Sequence, residues 1–161
     1  DYVNMLLITH AITGAALATI QKSIPAAFAI GLVSHYLLDM IPHYDHNVEP
    51  LLAKNDKAGI RKTLALIALD GVFSVIAPLL LFWPVNSAQF MIISAAILGS
   101  ILPDFLQGLA LVFKKNRFVQ THQHFQEWIH AKTRINHIPH IAIPAQITFN
   151  LLFIWFGYAI S

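Results

Sequence analysis

Apolar residues along this chain come in blocks long enough to cross about 30 Å of hydrocarbon at about 1.5 Å of helical rise per residue. The first block runs from about Val3 to Ile20. A turn through Gln21, Lys22 and Ser23 leads into Ile24-Pro25 and a second block ending near Ile41. Pro25 suits the first turn of a helix, where its missing N–H would be unpaired anyway, and Pro42 closes the second block by disfavouring the α conformation at Ile41. A polar loop over about His43 to Lys62 follows. A third block spans Thr63 to Trp83, and Pro84, Asn86 and Ser87 turn the chain into a fourth, from Ala88 to Phe113. The segment from Lys114 to His140 is too polar to cross lipid, but Phe118, Phe125, Trp128 and Ile129 fall near helical spacing, which predicts a short amphipathic helix at an interface. The last block, Pro144 to Ile160, starts on a proline.

This pattern predicts an all-α fold: a polytopic membrane bundle forming one integral domain over residues 1–161. Its transmembrane helices fall at about 3–20, 24–41, 63–83, 88–113 and 144–160, with an interfacial segment at 114–140. Residues 5–20 read as a helix of this bundle rather than a signal peptide, because no Lys or Arg precedes them and His10 interrupts the apolar run.

Composition supports a lipid solvent, since 57% of the 161 residues are hydrophobic and 11% are charged, against about 25% in soluble domains. Net charge is only +2, and most basic residues sit in two loops, which argues against a nucleic-acid partner. With alternating helices, the loops at 42–62 and 114–140 share the N-terminal side. They carry Lys54, Lys57, Arg61, Lys62, Lys114, Lys115, Arg117, Lys132 and Arg134, and the other side has Lys22 alone. Nine against one predicts a cytoplasmic N-terminal side and an outside C-terminus. The expected location is a bacterial or archaeal cytoplasmic membrane, with lipid as surroundings and substrate; oligomerisation is left open.

An ionisable group inside hydrocarbon costs several kcal/mol unless paired, ligating or wet, so each one needs an account. Five occur in the apolar blocks: His10, His35, Asp39, Asp70 and Asp104. Counting residues from the helix ends places all five in the N-terminal-side half of the membrane, the deepest at roughly 12–14 Å. Such a coincidence across four antiparallel helices favours one shared site over scattered interhelical hydrogen bonds. His35 and Asp39 are one turn apart on one helix face, where both can converge on one cation. After Pro42 the chain turns, which can bring His43, Asp45 or His46 over the mouth. Gly14, Gly71, Gly99 and Ser100 flank these positions and allow close helix approach, and Pro103 removes an N–H just where Asp104 enters.

A second histidine group, His122, His124, His130, His137 and His140, lies in or beside the interfacial segment. Its ordinary reading is contact with headgroups. Its functional reading is a lid supplying an extra ligand or a phosphate contact, with Arg117, Lys132 and Arg134 available for anions. Gln146 and Asn150, one turn apart on the last helix, read as outer donors.

The chain lacks cysteine, so any metal is held by imidazole nitrogen and carboxylate oxygen. The candidate ligands are His10, His35, Asp39, His43, Asp70 and Asp104, a set suited to one or two divalent ions of Zn, Mn or Fe character.

Thr9-His10 with Gly14, Ser34-His35-x-x-x-Asp39 with Pro42-His43, and Gly99-Ser100-Ile101-Leu102-Pro103-Asp104 together resemble the membrane-bound metal-dependent hydrolases of the YdjM type. The likeness covers about residues 5–110. It implies a helical core distantly similar to zinc-dependent phospholipase C, with His and Asp ligands binding metals for phosphoester hydrolysis. Where the family pattern continues with a further Asp and an Arg-Gly-x-Thr-His-Ser element, this chain has Phe105-Leu106-Gln107 and Thr121-His122.

The expected function is therefore a metal-dependent hydrolase acting on a lipid phosphoester at the cytoplasmic face, with His43 or His46 as general acid or base. Two other classes stand beside it. A metal or proton transporter would need polar groups continuing through the opposite half, which is nearly unbroken apolar. A noncatalytic scaffold would hold a structural metal in a closed site.

Overall fold

The computed structural model describes residues 7–41, 57–113, 115–130 and 139–160. Among them the chain is all α, with six helices and no strand. In order these are α1 (Leu7–Ala18), α2 (Ile24–Asp39), α3 (Lys57–Leu81), α4 (Ser87–Val112), α5 (Arg117–His130) and α6 (Pro139–Ile160).

Local chemistry sets several of the boundaries. Ser23 caps α2 by accepting from the Ala26 N–H at 3.4 Å, and Pro25 occupies the first turn. Asn86 caps α4 by accepting from the Gln89 N–H at 2.8 Å. α3 starts six residues earlier than the apolar pattern predicts, at Lys57 rather than Thr63, because Lys57, Arg61 and Lys62 favour helix although they are charged. α6 likewise begins before its apolar block, so Pro144 lies inside the helix instead of opening it.

α1 is the centre of the bundle. Its residues from Thr9 to Ala16 are buried without interruption, with α2, α3, α4 and α6 packed around it. A helix this short, rich in Ala, Gly and Thr, can be enclosed on all sides because its small side chains let neighbours come close. α2 and α4 make the most extensive helix pair. Their backbones nearly touch: a Cβ built on Gly99 would lie 2.2 Å from the Phe28 carbonyl oxygen, and one on Gly31 would lie 2.1 Å from that of Ala96.

Gly99→Ala should therefore force α2 and α4 apart, and overpacking of this kind costs about 1–3 kcal/mol. Gly71→Ala is the matched control, since a Cβ there meets nothing within 4 Å. Unfolding of the purified protein should show the loss only for Gly99→Ala, and equal stability of the two variants would mean that the close approach is not tight.

Two helices, Lys57–Leu81 and Ser87–Ala110, are long and apolar enough to cross a membrane, whereas Leu7–Ala18, Ile24–Asp39 and Pro144–Ile160 are apolar but shorter. The pattern of apolar blocks predicts five such spans. α2 falls short because it ends at Asp39, two residues before the predicted boundary. The predicted start of the first block, residues 3–6, lies outside the described residues. Only 11% of the apolar window of α3 is buried, leaving Leu64, Leu69, Val72, Phe73, Ile76 and Leu80 exposed.

α5 packs on α4 and α2. Val119, Gln126 and Ile129 form its buried face, whereas Phe118, Phe125 and Trp128 are exposed. Of the four residues whose spacing predicts this helix, only Ile129 turns into the bundle.

Candidate metal centre

The start of α1, the end of α2 and the C-terminal half of α4 bring His10, His35, Asp39 and Asp104 together. His35 and Asp39 share a face of α2, and His35 Nε2 lies 3.1 Å from Asp39 Oδ2. From α4, Asp104 Oδ1 approaches the same nitrogen at 3.8 Å. From α1, His10 Nε2 lies 3.4 Å from the other oxygen of Asp39. The two imidazoles stack with centroids 4.1 Å apart. One ligand atom from each of His10, His35 and Asp104 falls within 4.8 Å of the other two.

The tautomer of His35 follows from its surroundings. Its Nδ1 lies 2.7 Å from the Ser100 carbonyl oxygen, which can only accept, so Nδ1 carries a proton. Neutral His35 then presents the Nε2 lone pair to Asp39 and Asp104. A lone pair facing two carboxylates is repulsive unless a proton, an N–H donor or a cation lies between them. Ligation through one ring nitrogen, with the other donating to a carbonyl, is the usual arrangement around a protein-bound metal. Tetrahedral bonds of about 2.1 Å separate ligand atoms by about 3.4 Å. The 3.1, 3.4 and 3.8 Å separations here bracket that value. The residues present are thus of a kind that could hold a divalent cation, with His10, His35 and Asp104 the set whose ligand atoms all lie within 4.8 Å of one another.

Burial is uneven around this group. His10, His35 and Asp39 are 2%, 0% and 1% exposed, while the Asp104 side chain is 31% exposed, so any opening is on the α4 side.

Asp70 is placed differently from the expectation that it joins the ligands. Its carboxylate accepts from the Leu7 N–H at 2.6 Å and the Ile8 N–H at 3.2 Å. A carboxylate from α3 therefore caps the N-terminus of α1, the end that favours negative charge. Asp70 supports the turn that carries His10 and does not enter the group of His10, His35 and Asp104. Gly71, next to it, makes no close approach.

His43, His46 and Asp45 lie outside the described residues, as does His137. His124 pairs with Glu127 at 3.5 Å on the exposed face of α5 and stays apart from the group. The Tyr36 hydroxyl and His122 Nε2 share a hydrogen bond of 3.1 Å, whose donor is set by the imidazole tautomer. Burial, and secondarily the nearby His35 imidazole, hold His122 below its ordinary pKa. Asn150 donates to the hydroxyl of Thr9, the residue before His10, at 3.2 Å.

Sequence reasoning missed Gln126. This α5 residue is fully buried, with Nε2 3.3 Å from His35 Nε2 and 3.4 Å from Asp39 Oδ2. The available clue was His122-x-x-x-Gln126, two polar residues one turn apart on a helix whose aromatic spacing drew attention to the opposite face.

The fold and this group define an all-helical protein with two candidate membrane spans and a His/Asp cluster of a kind that can hold a metal ion. No family model, curated protein or solved structure matches the chain.

Proposed function

We propose that this protein is a polytopic membrane protein whose His10, His35, Asp39 and Asp104 bind one or two divalent ions, and that it hydrolyses a lipid phosphoester there. The observation that carries the reading is the His35 ring. Its Nδ1–H is fixed on the Ser100 carbonyl at 2.7 Å, and its Nε2 is turned toward two carboxylates at 3.1 and 3.8 Å.

The exposed apolar length of α3 supports the membrane part of the reading, because the core helix of a soluble protein would be mostly buried rather than 11% buried. The charge asymmetry of the loops orients the site toward the cytoplasm. The partly exposed Asp104 favours an enzyme over a closed structural site, since catalytic sites keep a position open. Beside the two carboxylates in sequence, Met40 and Phe105 are 52% and 63% exposed, an apolar setting suited to a lipid substrate.

When bound, the metal would polarise the phosphoryl oxygen and lower the pKa of a water. His10 and His35, stacked on each other, keep their Nε2 atoms on the carboxylates, and Asp39 orients both rings through its two oxygens. His43 or His46, following Pro42, is assigned the proton transfer to the leaving group.

The test is hydrolysis by the purified protein in detergent, supplied with Zn or Mn and a panel of lipid phosphates and phosphodiesters. At least one substrate should release phosphate or a phosphorylated headgroup, and chelation should stop the release. A metal-loaded protein inactive across the panel would leave the structural-metal scaffold as the function.

A further inference from the structure

Gln126 carries α5 to the His/Asp cluster, and the state of its side chain is unusual. The Gln126 amide is fully buried, with Nε2 within 3.3 Å of His35 Nε2 and 3.4 Å of Asp39 Oδ2. Both are acceptors when His35 is neutral, so the two amide protons meet two lone pairs, and these are the lone pairs that a cation would take. The other end of the amide is stranded. Gln126 Oε1 is buried and has no hydrogen-bond partner among the described residues, an arrangement that ordinarily costs about 1–3 kcal/mol.

The terminal torsion of glutamine is broad and nearly two-fold, so a half-turn exchanges nitrogen and oxygen at little cost. After that exchange Oε1 occupies the place of Nε2, about 3.3–3.4 Å from both ligand atoms. This is close to the ligand–ligand spacing of about 3.4 Å expected around a bound ion. Amide oxygen is also a suitable donor for Mn, and is tolerated beside imidazole by Zn and Fe.

We propose that Gln126 is an additional metal ligand, supplied by α5. It donates from Nε2 to His35 and Asp39 when no cation is held, and turns Oε1 onto the cation when one is. The assignment rests on the cluster being a metal site, and the same side chain then ties the seating of α5 to metal occupancy.

The experiment is calorimetric titration of the full chain in detergent with Co²⁺, together with the visible absorption of the bound ion, for the wild type, Gln126→Ala and Gln126→Glu. Gln126→Ala should bind Co²⁺ at least about tenfold more weakly, the lower end of what metal-site partners cost when removed, with an altered Co²⁺ spectrum. Gln126→Glu keeps an oxygen in place and adds charge, so it should bind at least as tightly as the wild type. It should also be less stable without metal, because a third carboxylate then faces Asp39 and Asp104. Wild-type affinity and spectrum in Gln126→Ala, or tighter binding, would overturn the assignment, as would loss of metal in Gln126→Glu. Should Gln126→Ala fail to fold, Gln126→Glu alone decides by the same criterion. A wild type that binds no Co²⁺ would sink the metal reading itself, an outcome distinct from a wild type that binds and a Gln126→Ala that is indifferent.

Discussion

His35→Ala should strip the protein of divalent metal, with a loss of affinity exceeding the roughly 10–100-fold typical of removing an outer-shell partner. His35 meets each of the other three members of the group. His35 touches Asp39 at 3.1 Å and Asp104 at 3.8 Å, stacks on His10, and is fixed by the Ser100 carbonyl. Truncation removes one ligand, leaves two carboxylates facing an empty volume and frees the His10 ring to turn. Asp70→Ala is the informative comparison, because its carboxylate is occupied by the Leu7 and Ile8 N–H groups. That variant should lose about 0.5–2 kcal/mol of stability as a missing helix cap does, while its folded fraction keeps most of its metal. Metal analysis of both purified variants decides the matter. Wild-type stoichiometry in His35→Ala would show that the cluster binds no metal, and loss of metal equal to that of His35→Ala in a folded Asp70→Ala would return Asp70 to the ligand set.

Saturating metal should stabilise the fold by an amount set by linkage, about 2.7 kcal/mol when free metal is a hundredfold above Kd. The reason is topological. The candidate ligands come from α1, α2 and α4, so a bound cation would bridge three helices that have no covalent tie other than the chain. The unfolded chain cannot hold these groups together and gains little from the ion. Thermal unfolding in Zn or Mn should therefore shift upward, chelation should reverse the shift, and Asp39→Ala should abolish it. The shift should also shrink on acidification, because imidazole binds metal only when neutral. An unfolding midpoint indifferent to metal and chelator in the wild type would refute the site.

Much of the fold was legible along the chain. The apolar blocks locate α1, α2 and α4 to within a few residues and the starts of α3 and α6 to within about six, and the aromatic spacing locates α5. The errors fall at the starts of α3 and α6: charged residues open α3, and Pro144, read as a helix start, lies inside α6, since hydropathy measures what surrounds a helix rather than where its hydrogen-bonded backbone begins. Of the five predicted spans, two among the described residues are long and apolar enough to cross a membrane, and the other three are apolar but shorter there.

Depth along a helix is a property of the sequence itself, because each residue adds about 1.5 Å of rise. Residue counting therefore places His10, His35, Asp39, Asp70 and Asp104 in the same half of the membrane, and the structure brings four of them to one cluster, with Asp70 contacting the first turn of the helix that carries His10. Direction around each helix axis turns by about 100° per residue and acquires meaning only once the neighbouring helices are in place. Tertiary packing alone decided that the Asp70 carboxylate meets backbone N–H groups rather than the cluster, that the Ser100 carbonyl orients His35, and that α5 turns Gln126 inward and its aromatics outward. These are contacts between residues 62 to 91 positions apart, and the one between His35 and Ser100 depends on the close approach at Gly31 and Gly99, which sets the faces of α2 and α4 that meet.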